Sequence, residues 1–155
     1  MQNAIDNKFD LVQQPSPSSF EKLEKAGFEV ENIPSGGSAM LVFNTMNPPF
    51  DDVRVRQAIM YAIDVDGIIE KVMEGYAKSA SCVIPNSDKF YKRASNVYIH
   101  NMNKATQLLQ EAGCPQFRFN LLNFGEDWGY SVSAKIKTDL FALGLQADIV
   151  TSDYD

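Results

Sequence analysis

The stretch LVFNTMNPPFDDVRVRQAIMYAID, residues 41–64, decides how the rest of the chain is interpreted. The apolar run 40–43 predicts a buried strand, and Pro48-Pro49 predict a turn, because proline donates no backbone N–H and restricts the residue before it. Asp51 or Asp52 can cap a helix by accepting bonds from its free N–H groups. Four apolar residues then share one helical face: Val55, Ala58, Ile59 and Ala62. The stretch therefore predicts a strand, a rigid turn and a capped amphipathic helix.

Strands and helices alternate along the remainder of the chain. Apolar runs and period-two patterns predict strands at 9–13, 28–33, 117–122 and 145–150. Apolar residues at helical spacing predict helices over 20–26, from a cap at Asp64 to Gly75, from a cap at Asn103 to Ala112, and over 132–141. Residues 76–101 have little periodicity and predict a long loop that is functional or packed as its own unit. This alternation is typical of an α/β fold with a largely parallel, covered sheet.

Length and composition narrow the class of protein. A chain of 155 residues makes one domain, or one domain and part of another. An apolar fraction of 45% supports a real core, and a net charge of −6 gives no basic footprint for nucleic acid or an anionic membrane. No apolar run approaches the ~20 residues that span a bilayer. No signal peptide is visible, which fits a cytoplasmic protein or an excised fragment.

Motifs of catalysis and metal binding are missing from the sequence. It has no nucleophile elbow, phosphate-binding glycine loop, paired-histidine motif or CxxC. Cys82 and Cys114 match no metal spacing; two separate thiols are favoured, although export of the protein would make a disulfide plausible. His100 is the only histidine and favours a surface or packing role. We therefore expect a binding protein without catalytic residues, metal or cofactor.

The loop 123–130 is the candidate ligand site, because it leaves the carboxyl end of a predicted strand, where ligands gather in open α/β sheets. Aromatic walls with a few polar anchors suit a small-molecule cleft, acids could hold an ammonium, and rings could pack a cation. The predicted ligand-binding residues are Asn123, Phe124, Glu126, Asp127, Trp128 and Tyr130. An equally supported alternative is that Trp128 and Tyr130 pack the adjoining helix. A weaker hypothesis makes Glu126 and Asp127 the paired carboxylates of a small hydrolase.

Several motifs together resemble those of a large receptor family. They are Phe43-Asn44-Thr45, PFDDVRVRQA at 49–58, YAID at 61–64, Ile84-Pro85, EAG at 111–113 and LGL at 143–145. The sequence resembles the extracytoplasmic solute-binding proteins of ABC transporters for dipeptides, oligopeptides and nickel. The resemblance covers nearly the whole chain, and the central motif is long and specific.

This resemblance implies a two-lobed protein that closes on its ligand by hinge bending. Family members are much longer, so the chain resembles an internal fragment. Residues 1–40 would come from the edge of the first lobe, and 46–155 would form most of the second. Residues 41–45 would be an inter-lobe crossing strand, with Phe43, Asn44 and Thr45 at the hinge.

The function implied by the resemblance is capture of a peptide or similar small solute in the inter-lobe cleft and its delivery to the transporter's permease subunits. The location would be extracytoplasmic, in the periplasm or as a cell-surface lipoprotein. Dipeptide receptors carry an arginine for the ligand carboxylate in the loop that matches 123–130, where this chain has Asn123 followed by two acids. At this position the sequence departs from the dipeptide receptors, so the resemblance leaves the choice between a dipeptide and another solute open. The alternative function is a ligand-sensing module of a cytoplasmic transcription regulator.

Overall fold

A computed structural model describes residues 6, 9–13, 15–33, 38–85, 87–94, 97–124 and 128–152. Its helices are α1 (Phe20–Lys25), α2 (Val53–Ala62), α3 (Val65–Lys71), α4 (Met102–Glu111) and α5 (Trp128–Ala142), and its strands are β1 (Arg118–Phe124) and β2 (Gln146–Ser152). A 3-10 turn at Pro17–Ser19 leads into α1. The α/β class is as predicted, and each of these helices and strands overlaps a predicted one of the same type, although α5 begins four residues earlier than predicted and α3 ends at Lys71 rather than near Gly75.

Side-chain caps set where three of the helices begin. The Asp52 carboxylate accepts from the Arg54 N–H (2.8 Å) at the start of α2, and Asp64 accepts from the Gly67 N–H (3.0 Å) at the start of α3. The cap predicted at Asn103 is wrong. Asn101 caps α4 by accepting from the Lys104 N–H (3.0 Å), because its extended backbone turns the side chain toward the free N–H groups, whereas Asn103 already lies inside the first turn.

One apolar core joins the helices to the sheet. The face predicted for α2 is fully buried, as expected from its helical spacing. The core cluster draws on α2, α3, α4, α5 and the turn before β2: Val55, Ala58, Ile59, Ala62, Ile63, Ile68, Ala105, Leu108, Leu109, Leu140, Leu143 and Leu145. Removal of this apolar surface from water is the main force that holds the elements together.

The two strands pair in parallel, with Phe119 opposite Ala147 and Leu121 opposite Ile149. Parallel neighbours need a long crossover connection, and α5 supplies it between β1 and β2. Because side chains alternate across a strand, Phe119, Leu121 and Asn123 all face the core side of the sheet. This register brings the carboxyl ends of both strands to the same edge.

Three predicted strands, at 9–13, 28–33 and 40–43, are not strands in the structure. The last of these was predicted to be buried, but only Leu41 and Phe43 pack against the core, while Met40 and Val42 are exposed. A period-two pattern predicts an extended chain, but a strand also needs a hydrogen-bonding partner, and the sheet of the described residues contains only β1 and β2. The prediction of a crossing strand at 41–45 is therefore corrected to an extended, unpaired segment.

An aromatic cluster fixes this extended segment and the proline turn to the sheet. The Phe50 ring lies 5.8 Å from Phe43, 5.8 Å from Phe117 and 5.3 Å from Phe119, measured between centroids. The turn itself is closed by the Phe50 N–H, which donates to the Asn47 carbonyl (3.1 Å). The motif from the opening stretch is thus packed directly on the first strand.

The described part of residues 76–101 contains neither helix nor strand, as predicted. The segment is held by its own hydrogen bonds: the hydroxyls of Ser81 and Tyr91 pair (3.1 Å), and Ser81 Oγ accepts from the Ala94 N–H (3.0 Å). Its end is attached to α2, where the Asn101 N–H donates to the Tyr61 carbonyl (2.8 Å). Among the described helices, none has the length and apolar character needed to cross a membrane.

Candidate functional site

The candidate site lies where β1 ends and α5 begins. Phe124 is the last residue of β1, and Trp128 is the first of α5. The loop predicted at 123–130 is therefore too long, because its first two residues continue the strand and its last three start the helix. Glu126 and Asp127, the two acidic residues of the prediction, lie outside the described residues.

Three aromatic residues of the predicted set are partly open to solvent. The exposed fraction is 50% for Phe124, 43% for Trp128 and 51% for Tyr130. Two residues apart on a helix correspond to a rotation of about 200°, so the last two rings lie on opposite flanks of α5. A single ligand in contact with both would have to lie across the first turn of the helix.

Asn123 does not share this surface. It is 6% exposed, faces the core side of the sheet, and accepts a hydrogen bond at Oδ1 from the Ser133 hydroxyl (3.2 Å). Ser133 is itself 7% exposed. The structure thus separates the predicted amide from the aromatic side chains and places it between strand and helix.

Gly129 and Ser133 were not among the residues predicted for the site. A Cβ atom on Gly129 would come within 3.2 Å of Asn123 Oδ1 and 3.5 Å of the Phe124 carbonyl oxygen, so the first turn of α5 lies very close to the end of β1. A signal was available in the sequence, because Ser133 occupies a helical position in register with the apolar residues Ile136 and Leu140. A polar residue on a core-facing stripe indicates a buried hydrogen bond.

A shallow groove adjoins the site on the Tyr130 flank. It has a volume of about 510 Å³ and runs between α5 and β2. Its walls are Tyr130, Ala134, Lys137, Thr138, Phe141, Asp148 and Ile149. Of these residues only Tyr130 was predicted for the site. The others come from later turns of α5 and from β2, and the sequence alone does not show that these two elements lie side by side.

A charged cluster attaches the middle of α5 to the start of α3. Lys135 Nζ lies 2.5 Å from Asp139 Oδ1 and 3.8 Å from Asp64 Oδ2, and the Asp64 N–H donates to Asp139 Oδ2 (3.1 Å). The hydrogen bond from the Gly67 N–H lowers the pKa of Asp64, and the Lys135 charge lowers it further. These groups satisfy one another, so the cluster positions the helix rather than offering free charges to a ligand.

The three predicted hinge residues lie at the end of the extended segment, just before the proline turn. Phe43 belongs to the aromatic cluster, while Asn44 Oδ1 accepts from the Met46 N–H (3.1 Å) in a local turn. Thr45 is exposed. Their role as a hinge stays a prediction.

The described residues contain no group of three or more histidine, cysteine, aspartate or glutamate side chains that could hold a metal ion. Cys82 and Cys114 are both free thiols. The described part of the site thus consists of exposed rings at the end of β1 and the start of α5.

Comparison with known proteins identifies the family. The model of the bacterial extracellular solute-binding proteins, family 5, matches residues 1–155. The dipeptide-binding protein of Escherichia coli (strain K12) is 30% identical over 155 residues, which cover 96% of this chain and 29% of that protein. The heme-binding protein A of Haemophilus influenzae is 38% identical over 109 residues, which cover 70% of this chain and 18% of that protein. The chain therefore spans less than a third of the length of these relatives.

The fold agrees with this result. The periplasmic binding protein DppA of Helicobacter pylori, solved in complex with the peptide STSA, superposes with a TM-score of 0.83 at 25% identity, covering 98% of this chain and 30% of that protein. The structure therefore has the fold of an α/β fragment of a two-lobed periplasmic binding protein. By its family match and its fold, the chain belongs to the bacterial extracellular solute-binding proteins of family 5.

Proposed function

We propose that this chain is part of an ABC-transporter receptor that captures a peptide or similar small solute and delivers it to the membrane permease. The observation that carries the proposal is the family match over residues 1–155, together with a relative named for dipeptide binding. Affinity would come from enclosure of the solute between two lobes. The location that follows is extracytoplasmic, and the partners are the solute and the permease subunits.

In this proposal residues 46–155 form most of the second lobe, residues 1–40 belong to the edge of the first, and 41–45 cross between them. The extended segment is anchored at Phe43 by the aromatic cluster, whereas Asn44 and Thr45 beyond it are exposed. A segment with one fixed end and an exposed continuation suits a hinge, because backbone rotation there disturbs little packing.

The solute would be bound at the carboxyl end of β1, on the exposed rings of Phe124, Trp128 and Tyr130. Aromatic surface next to a strand end suits apolar side chains and cationic groups of a solute. Glu126 and Asp127, which lie between the rings in sequence, supply negative charge for an ammonium group. A peptide carries both kinds of group.

The test is calorimetric titration of the full-length receptor with the peptides Met-Leu and STSA. We expect Trp128→Ala to weaken binding about tenfold, equivalent to about 1.4 kcal/mol, because a large contact surface is removed. Phe90→Ala, at an exposed ring in the long loop, is the matched control and should leave the Kd unchanged. Unchanged affinity in both Trp128→Ala and Tyr130→Ala would exclude this surface as the binding site.

A further inference from the structure

The core-facing residues of α5 change from apolar to small and polar next to the candidate site. Ile136 and Leu140 are apolar, but the same stripe continues toward the start of the helix with Ser133 and Gly129. On the strand side, the inward residue that meets them is Asn123. Among the described residues of β1 and α5, a buried polar pair takes the place of apolar packing at the end of the sheet where the aromatic rings lie.

The contacts between these residues fix the first turn of α5 in two ways. The hydrogen bond from Ser133 to Asn123 is directional and holds one turn of the helix at a set distance from β1. One turn earlier, the Gly129 backbone lies so near the Asn123 amide that a Cβ atom there would come within 3.2 Å of Oδ1, and the amide or the helix would have to shift slightly to make room. Apolar packing alone would tolerate small rotations that these contacts resist.

We infer that Asn123, Gly129 and Ser133 form a clamp that positions Trp128 and Tyr130 for the ligand, and that Asn123 acts through this clamp rather than by touching the ligand. Trp128 and Tyr130 lie about 100° to either side of Gly129 around the helix. Rotation of the first turn would therefore move one ring toward the sheet and the other away from it. The identity of the ligand in this inference rests on the proposed function, whereas the effect of the clamp on the positions of the two rings does not.

The first test follows Trp128 in the absence of ligand. The full-length receptor is labelled with 5-fluorotryptophan, and its Trp128 ¹⁹F signal is assigned by its loss in Trp128→Phe. We expect Ser133→Ala and Gly129→Ala each to shift and broaden that signal. Gly129→Ala should do so even though alanine has a higher helix propensity than glycine. Thr138→Ala, which removes an exposed hydroxyl bonded within α5, is the control and should leave the signal in place. An unmoved signal in both clamp variants would overturn the inference.

The second test separates positioning from stability. Ser133→Ala removes the buried hydrogen bond that Asn123 Oδ1 accepts and should lower the unfolding midpoint, whereas the double variant Asn123→Leu, Ser133→Ala makes both positions apolar and should recover much of it. If the clamp positions the rings, the affinity for Met-Leu and STSA stays about tenfold weaker in the double variant despite its restored stability. Recovery of affinity together with stability would reduce the pair to a structural role. If wild-type receptor binds neither peptide, the proposed ligand class fails while the ¹⁹F result still decides the clamp.

Discussion

At the scale of single residues, a small change in position decides whether a polar side chain caps a helix. Asn101 and Asn103 have the same side chain and flank the start of α4. Only Asn101 has an extended backbone, so only its amide oxygen reaches the Lys104 N–H. Chemistry alone does not distinguish the two residues, but geometry does.

A pair of matched variants tests this assignment. We expect Asn101→Ala to lower the free energy of unfolding by about 1 kcal/mol, because the first turn of α4 loses a capped N–H. Asn103→Ala should change it far less, since alanine is a good helix former within the turn. Urea denaturation followed by circular dichroism measures both. A larger loss in Asn103→Ala would return the cap to the residue that the sequence pattern favoured.

At the scale of elements, α5 is the part on which the site depends. The clamp holds its first turn against β1, and the charged cluster of Asp64, Lys135 and Asp139 holds its middle against α3. Its apolar stripe enters the core through Leu140. Three kinds of interaction thus attach this helix to its neighbours, and the exposed rings lie at its attached start.

The charged cluster predicts a pH dependence of stability. The pKa of Asp64 is lowered in the folded state, chiefly by the Gly67 N–H, so its carboxylate contributes stability above its ordinary value of 3.8 and loses it as pH falls through the lower folded value. The excess stability of wild type over Asp64→Asn should therefore shrink as the pH falls below 3.8. Urea denaturation between neutral and acidic pH measures this difference, with the exposed carboxylate removed in Asp66→Asn as control. A constant difference across that range would contradict the prediction.

At the scale of the whole molecule, one core links residues that are far apart in sequence. Val55 and Ile59 of α2 meet Leu109 of α4 and Leu145 just before β2 within a single cluster. The candidate site lies at the edge of this cluster, so its geometry depends on packing that spans most of the described chain.

Two isoleucines test how much of the stability this core supplies. Ile59 is 1% exposed, whereas Ile99 is 76% exposed. We expect Ile59→Ala to lower the free energy of unfolding by about 2–5 kcal/mol, because it removes buried methylene groups and leaves a cavity. Ile99→Ala should cost under ~0.5 kcal/mol. Similar losses in the two variants, measured by urea denaturation, would mean that the core lies elsewhere.

The sequence by itself determined the elements whose causes are local. Spacing predicted the face of α2, a cap at Asp51 or Asp52, the cap at Asp64 and the strand–helix–strand order from β1 to β2, because periodicity and capping act over a few residues. The family was indicated by the resemblance of its motifs. The long loop was readable in the same way. The strand end before the predicted site loop and the helix after it are also local patterns, whereas the use of this loop as a ligand site stays a prediction.

Only the tertiary structure decided which extended segments find a partner and which polar residues face inward. Residues 40–43 alternate like a strand but lie unpaired, and Asn123 belongs to the core side of β1, where Ser133 meets it. Strand pairing and buried hydrogen bonds join residues distant in sequence, so no local pattern specifies them. For that reason the sequence placed Asn123 and Trp128 in one predicted site, whereas the fold buries Asn123 and leaves Trp128 43% exposed.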